Sequence, residues 1–102
     1  MRRVDFPSRR IEHFGSAGFH HTRLARGETF QVSLADLDGV IGGHDAPSAQ
    51  LLVVLDGCVV CATRDEKVEL GVGEAVAWGE GEWHETRSLE ASRVLLIEGA
   101  FE

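Results

Sequence analysis

From Gly18 onward the apolar residues fall in short runs of strand-type alternation separated by turn residues: "FHHTRLA", "TFQVSLA", "GVIG", "QLLVVLD", "CVVCATR", "KVEL", "EAVAW", "WHETRS" and "SRVLLIE". Nine such runs at close spacing leave no room for helical crossovers. They predict an all-β fold, an antiparallel sandwich or barrel, rather than a βαβ architecture. Asp38-Gly39 and Asp56-Gly57 are expected to close hairpins, because a type I′ turn needs positive φ at both central residues and Asp-Gly tolerates it. No helix longer than a turn or two is expected, and no internal repeat or linker is visible.

Two of the runs are apolar on both faces. In "QLLVVLD", Leu52 and Val54 lie on one side and Leu51, Val53 and Leu55 on the other; "RVLLIE" sets Val94 and Leu96 against Leu95 and Ile97. One face fills the interior. The other needs a cover, which is either a second copy in a homodimer or the chain's own residues 1–17. Residues 1–17 are accordingly expected to be an N-terminal extension packing on the barrel or on a partner, and residues 18–102 to form the barrel.

A chain of 102 residues with 43% hydrophobic content suits one compact domain. It has no apolar run of 18 residues and its N-terminus, "MRRVDFPSRRIEHFG", lacks the apolar core of a secretory signal, so a cytoplasmic protein with no membrane partner is expected. The net charge of −7 is uneven: Arg2, Arg3, Arg9 and Arg10 face only Asp5 in the first ten residues, which leaves an acidic body. Such a body argues against a nucleic-acid partner, since that affinity comes largely from neutralising phosphates. Cys58 and Cys61 form C-V-V-C, but within a strand pattern positions i and i+3 point to opposite faces, so buried structural thiols are expected rather than a redox pair or half of a zinc site.

The stretch "GEAVAWGEGEWHET" carries the chemistry. Gly73, five residues, Gly79, one residue, Gly81, two residues, His84, three residues and Ser88 resemble the second motif of the cupin family, G-x5-P-x-G-x2-H-x3-N, with Gly79 in place of the proline and Ser88 in place of the asparagine. Upstream, "HDAPSAQLLVVLDG" resembles the first motif, H-x-H-x3-E-x6-G, with His44, Ala46, Gln50 and Gly57 at those four places and 15 residues between the two motifs. The resemblance covers roughly residues 28–99. It implies a double-stranded β-helix, the jelly-roll barrel for which cupins serve as a standard example, with a pocket at its open end.

The resemblance also implies a metal site at the motif positions, here His44, Gln50 and His84. Three imidazoles and a carboxylate, the family's usual set, leave a single positive charge on a divalent ion. Two imidazoles and a neutral amide oxygen leave both charges and offer one ligand fewer, because Ala46 has no ligand atom, so affinity for Mn, Fe, Ni or Zn should be weakened. Without the resemblance, each histidine taken singly reads as a hydrogen-bonded structural residue before it reads as a ligand. His20 and His21 are strand neighbours on opposite faces, and they stay outside the expected site together with His13. With His84 inward, Thr86 and Ser88 share its face, and Trp78 supplies an aromatic wall for a small-molecule ligand. The expected function is binding of a small organic molecule in the barrel. The alternatives are a metal-dependent oxygenase or isomerase, as the resemblance implies, and a structural or oligomerisation module.

Overall fold

The computed structural model describes residues 1–99, and in it the alternating runs become nine antiparallel strands. They are β1 (Arg9–Ile11), β2 (Ala17–Arg26), β3 (Phe30–Asp45), β4 (Gln50–Asp56), β5 (Val59–Ala62), β6 (Lys67–Leu70), β7 (Ala75–Trp78), β8 (Trp83–Ser88) and β9 (Ser92–Gly99). A 3-10 turn, His13–Gly15, is the one helical element among the described residues. The final three residues of the expected barrel segment lie outside them. No helix there is long and apolar enough to cross a membrane.

The topology rests on β3, which serves both walls of a jelly-roll barrel. Its first half lies between β2 and β9, and its second half, Val40–Asp45, pairs with β8. One wall therefore runs β1-β2-β3-β9-β4-β7 and the other β6-β5-β8-β3. Between them sits the core. Leu37, Leu52, Val54, Val59 and Val94 are almost wholly buried, and the pairs Leu52–Leu96 and Val54–Val94 face each other directly across β4 and β9. Removing these side chains from water supplies the main stabilising free energy, at about 25 cal/mol per Å² of apolar surface.

Two expected hairpins take another form. "TFQVSLA" and "GVIG" belong to one strand, because Asp38-Gly39 is a bulge: Ala17 pairs with Val40 and Phe19 with Leu37, so β3 holds an extra residue there. The bulge bends β3 from one wall into the other. Asp56-Gly57 does reverse the chain, but it joins β4, which pairs with β7 and β9, to β5, which pairs with β6 and β8. It is a corner between walls, because turn chemistry sets a local backbone shape and leaves the choice of strand partners to the core.

The N-terminal residues build one side of the barrel mouth. β1 extends the sheet at the edge of β2, pairing Arg9 with His21 and Ile11 with Phe19. The 3-10 turn then crosses to β3, where the Gly42 N–H donates to Ser16 Oγ at 2.8 Å. That approach is possible only at glycine, since a Cβ on Gly42 would collide with the Phe14 carbonyl. The outer face of the same wall stays apolar: Leu51–Ile97–Val32 and Val53–Leu95–Leu34 form two half-buried rows across β4, β9 and β3.

Candidate functional site

Five strands deliver polar and aromatic side chains to the open end of the barrel. His44 at the end of β3 pairs with His84 at the start of β8; Gln50 at the start of β4 pairs with Trp78 on one side and Glu98 on the other. Directly opposed residues of antiparallel strands project to the same face, so these side chains share the interior. They surround a cavity of about 260 Å³ whose deeper walls include Phe19, Ile41, Leu52 and Leu96.

The two imidazoles are held in one orientation. His44 Nδ1 donates to the Gly42 carbonyl at 2.8 Å and His84 Nδ1 to the Glu82 carbonyl at 3.1 Å, which leaves each Nε2 as a free lone pair. Burial lowers the pKa of His84, the neighbouring His44 adds to that, and the bond to the Glu82 carbonyl opposes it, so His84 is neutral at pH 7. The rings form a continuous stack. Phe14 lies flat on His44 at 4.5 Å with 9° between planes, His44 is 4.6 Å from His84, and His84 stacks on Trp78 at 4.2 Å and 26°.

Phe14 holds this position at a cost. Its φ of 57° and ψ of 28° place it in the left-handed region, which costs a bulky residue roughly 1 kcal/mol or more. Its ring nevertheless remains 65% exposed above the mouth. At the other end of the stack Trp78 is 3% exposed, lines the cavity, and its indole N–H has no hydrogen-bond partner. Buried donors are nearly always paired, and an orphan costs about 1–3 kcal/mol.

Of the residues singled out in the sequence, His44, Gln50, His84, Trp78 and Thr86 come together around the cavity. Thr86 sits deep in it with Oγ1 3.7 Å from Cys61 Sγ. Ser88 does not join them: its hydroxyl accepts from the Gly39 N–H at 2.7 Å and donates to the Gly39 carbonyl at 3.2 Å, so it ties down the β3 bulge. Sharing a face with His84 was the right alternation, but the bulge at Gly39 stands between Ser88 and the mouth. His13 and His21, left out of the expected site, both line the cavity, while His20 lies outside it. The signal for His21 was its place two residues after the core residue Phe19. Cys58 and Cys61 are free thiols on opposite faces, Cys61 buried beside Thr86 and Cys58 close to Glu69.

Glu98 is the acid that the sequence did not single out. Carboxylates nearer in sequence, Asp45, Glu80 and Glu82, stay exposed, whereas Glu98 lines the cavity because β9 pairs it with Gln50. Burial raises its pKa, partly opposed by His44. Even with Glu98, the donor set falls short of the metal centre that the motif spacing implies. Among the described residues no three histidine, cysteine or acidic side chains are grouped as metal ligands, and Ala46 is buried at the place of a missing imidazole. Two imidazoles and the Gln50 amide do not fit a site of three imidazoles and a carboxylate.

Comparison with known proteins places the barrel. No family model and no curated protein matches the sequence. Among solved structures, the polyketide cyclase RemF from Streptomyces resistomycificus superposes with a TM-score of 0.84 at 20% identity, over 97% of this chain and 79% of that one. KdgF from a Halomonas species gives 0.79 at 21% identity over 94% and 88%. A cupin superfamily protein from Desulfitobacterium hafniense gives 0.74 at 20% over 79% and 76%. At these identities the likeness is one of fold, and it coincides with the place where both motif spacings bring their residues to one mouth. The chain is a single-domain barrel of the cupin fold.

Proposed function

We propose that the barrel binds a small, planar organic molecule in the cavity between the aromatic stack and the aliphatic floor, with an oxygen acceptor of the ligand taking the Trp78 indole N–H. The buried, unpartnered indole N–H of Trp78, a residue of the cavity wall, carries this reading. A ligand oxygen that reaches that donor satisfies it, and the rings of Trp78, His84 and His44 offer a flat molecule aromatic contact. The chemistry available is recognition: two imidazoles and Gln50 present polar groups around an apolar slot, the usual make-up of a small-molecule site.

A weakened metal site is the second reading, favoured by one observation. Both imidazoles keep Nδ1 on a backbone carbonyl, the contact that orients a ligating histidine to present its other nitrogen to an ion. Metal content after exposure to Mn, Fe, Ni and Zn separates the readings, since stoichiometric retention favours the second.

The first reading is tested by calorimetric titration with 2-naphthamide, a neutral bicycle bearing a carbonyl acceptor. A ligand of this size should bind with a Kd of about 0.1–1 mM. Absence of saturable binding contradicts the proposal.

Assembly and location complete it. We place a second copy of the chain on the outer face of the Leu51–Ile97–Val32 and Val53–Leu95–Leu34 rows, because the residues that were the alternative cover sit at the mouth instead. Paired rows of equal chemistry are self-complementary about a two-fold axis. Light scattering at micromolar concentration should give about twice 11.1 kDa, and Leu95→Glu should return it to that mass. A monomer at every concentration contradicts it. The free thiols suit a reducing compartment, and the proposal is cytoplasmic.

A further inference from the structure

The ligand of the proposed cavity carries an anionic group, we infer, because Arg9, His21 and Arg23 form a subsite for a carboxylate at its mouth. This rests on the small-molecule reading above and narrows it to planar organic acids. The strand register makes the subsite. Arg9 pairs directly with His21, and Arg23 follows His21 by two residues, so all three project to the face that also holds Ile11 and Phe19. The face reads apolar toward the core and cationic toward the rim. Arg9, His21 and Arg23 line one depression, and Arg9 and His21 also line the main cavity, so the two spaces share a wall.

The arginines divide into those that pair with an acid and those that do not. The chain has 17 acidic residues against 10 basic ones, so an arginine has many acids to choose from. Arg10, on the opposite face of β1, takes Glu12 at 3.2 Å; Arg93 takes Asp36 at 2.7 Å and Arg87 takes Glu85 at 2.9 Å. Among the described residues neither Arg9 nor Arg23 has a carboxylate within 4.0 Å. Two guanidinium groups are instead brought together beside one imidazole, whose pKa is lowered by burial first and then by Arg23 and Arg9. Like charges held together without a counter-ion repel, and an arriving carboxylate removes that repulsion while accepting bidentate hydrogen bonds. Glu98, the acid on the main cavity, is biased by burial toward its uncharged form, which lessens its repulsion of such a ligand.

The test compares 2-naphthoate with 2-naphthamide, which share one planar body and differ in charge, by calorimetry on the full chain and on Arg9→Gln, Arg23→Gln and the double variant. The expected result is about tenfold tighter binding of naphthoate by the unaltered protein, a preference that shrinks with added salt. In the double variant the two affinities should become alike, and an unchanged melting transition reports that it is folded. Equal binding of the two compounds by the unaltered protein, or a naphthoate preference that survives in the double variant, overturns the anion subsite and leaves the ring-binding reading standing. Failure of both compounds to bind overturns the two together.

Discussion

Trp78→Phe should weaken 2-naphthamide binding about tenfold while leaving the melting temperature within about 8 °C of the parent. The two halves of this result come from one atom. In the free protein the buried indole N–H has no partner, which costs about 1–3 kcal/mol, and phenylalanine removes that cost. The smaller ring leaves a void beside His84 worth a loss of comparable size, so the two offset. A net change of about 1 kcal/mol moves Tm by about 4–8 °C in a domain of this length. Binding has no such offset, since the variant loses the hydrogen bond to the ligand and part of the stacking surface, together about 1.4 kcal/mol or more. If Trp78 only fills the core, the pattern inverts: Tm falls steeply, and any bound probe keeps its affinity.

The second large effect belongs to Gly42. An alanine there meets the Phe14 carbonyl and crowds the Ser16 backbone, so either β3 shifts or the 3-10 turn lifts away from it. Overpacking of this kind typically costs about 1–3 kcal/mol. Lifting the turn also separates Phe14 from His44, breaks the Gly42 N–H bond to Ser16, and relaxes Phe14 out of its left-handed conformation, which returns about 1 kcal/mol. Gly42→Ala should therefore lower Tm and weaken 2-naphthamide binding several-fold. Gly79→Ala is the control, since a Cβ there meets nothing within 4 Å and its φ is not positive. Equal melting curves for the two variants would contradict the seating of the turn.

That control also marks where motif reading and structure part. Of the two glycines of "GEG", only Gly81 has a positive φ, at 81°. Gly79 occupies the place of the family's proline, which fits an ordinary backbone shape. Strand identity was legible because burial alternates with period two: Gln50, Leu52 and Val54 inward, Leu51 and Val53 half-buried outward. Spacing between the motifs was legible for the same reason, since register converts sequence offsets into positions on the barrel wall, and it placed His44 opposite His84. What stayed hidden depends on pairing between distant segments. Glu98 enters the cavity because β9 pairs with β4, and His21 and Arg9 enter because β1 adds to β2. The aromatic ceiling from Phe14 depends on a glycine 28 residues away having no side chain. Local pattern carries no trace of such contacts. Asp38-Gly39 shows the converse, a strong local turn signal that the core overrides with a bulge.

The measurement closest to the central claim is the indole N–H resonance of Trp78 during titration of the nitrogen-15-labelled protein with 2-naphthamide. The chain has two tryptophans and thus two such resonances, and Trp78→Phe assigns them. Trp83 is stacked under Arg64 away from the cavity and serves as the internal reference. The account predicts a saturable downfield shift of the Trp78 N–H, as it gains an acceptor, with the Trp83 resonance unmoved. Saturable binding that leaves the Trp78 N–H in place, or shifts both resonances alike, would contradict it.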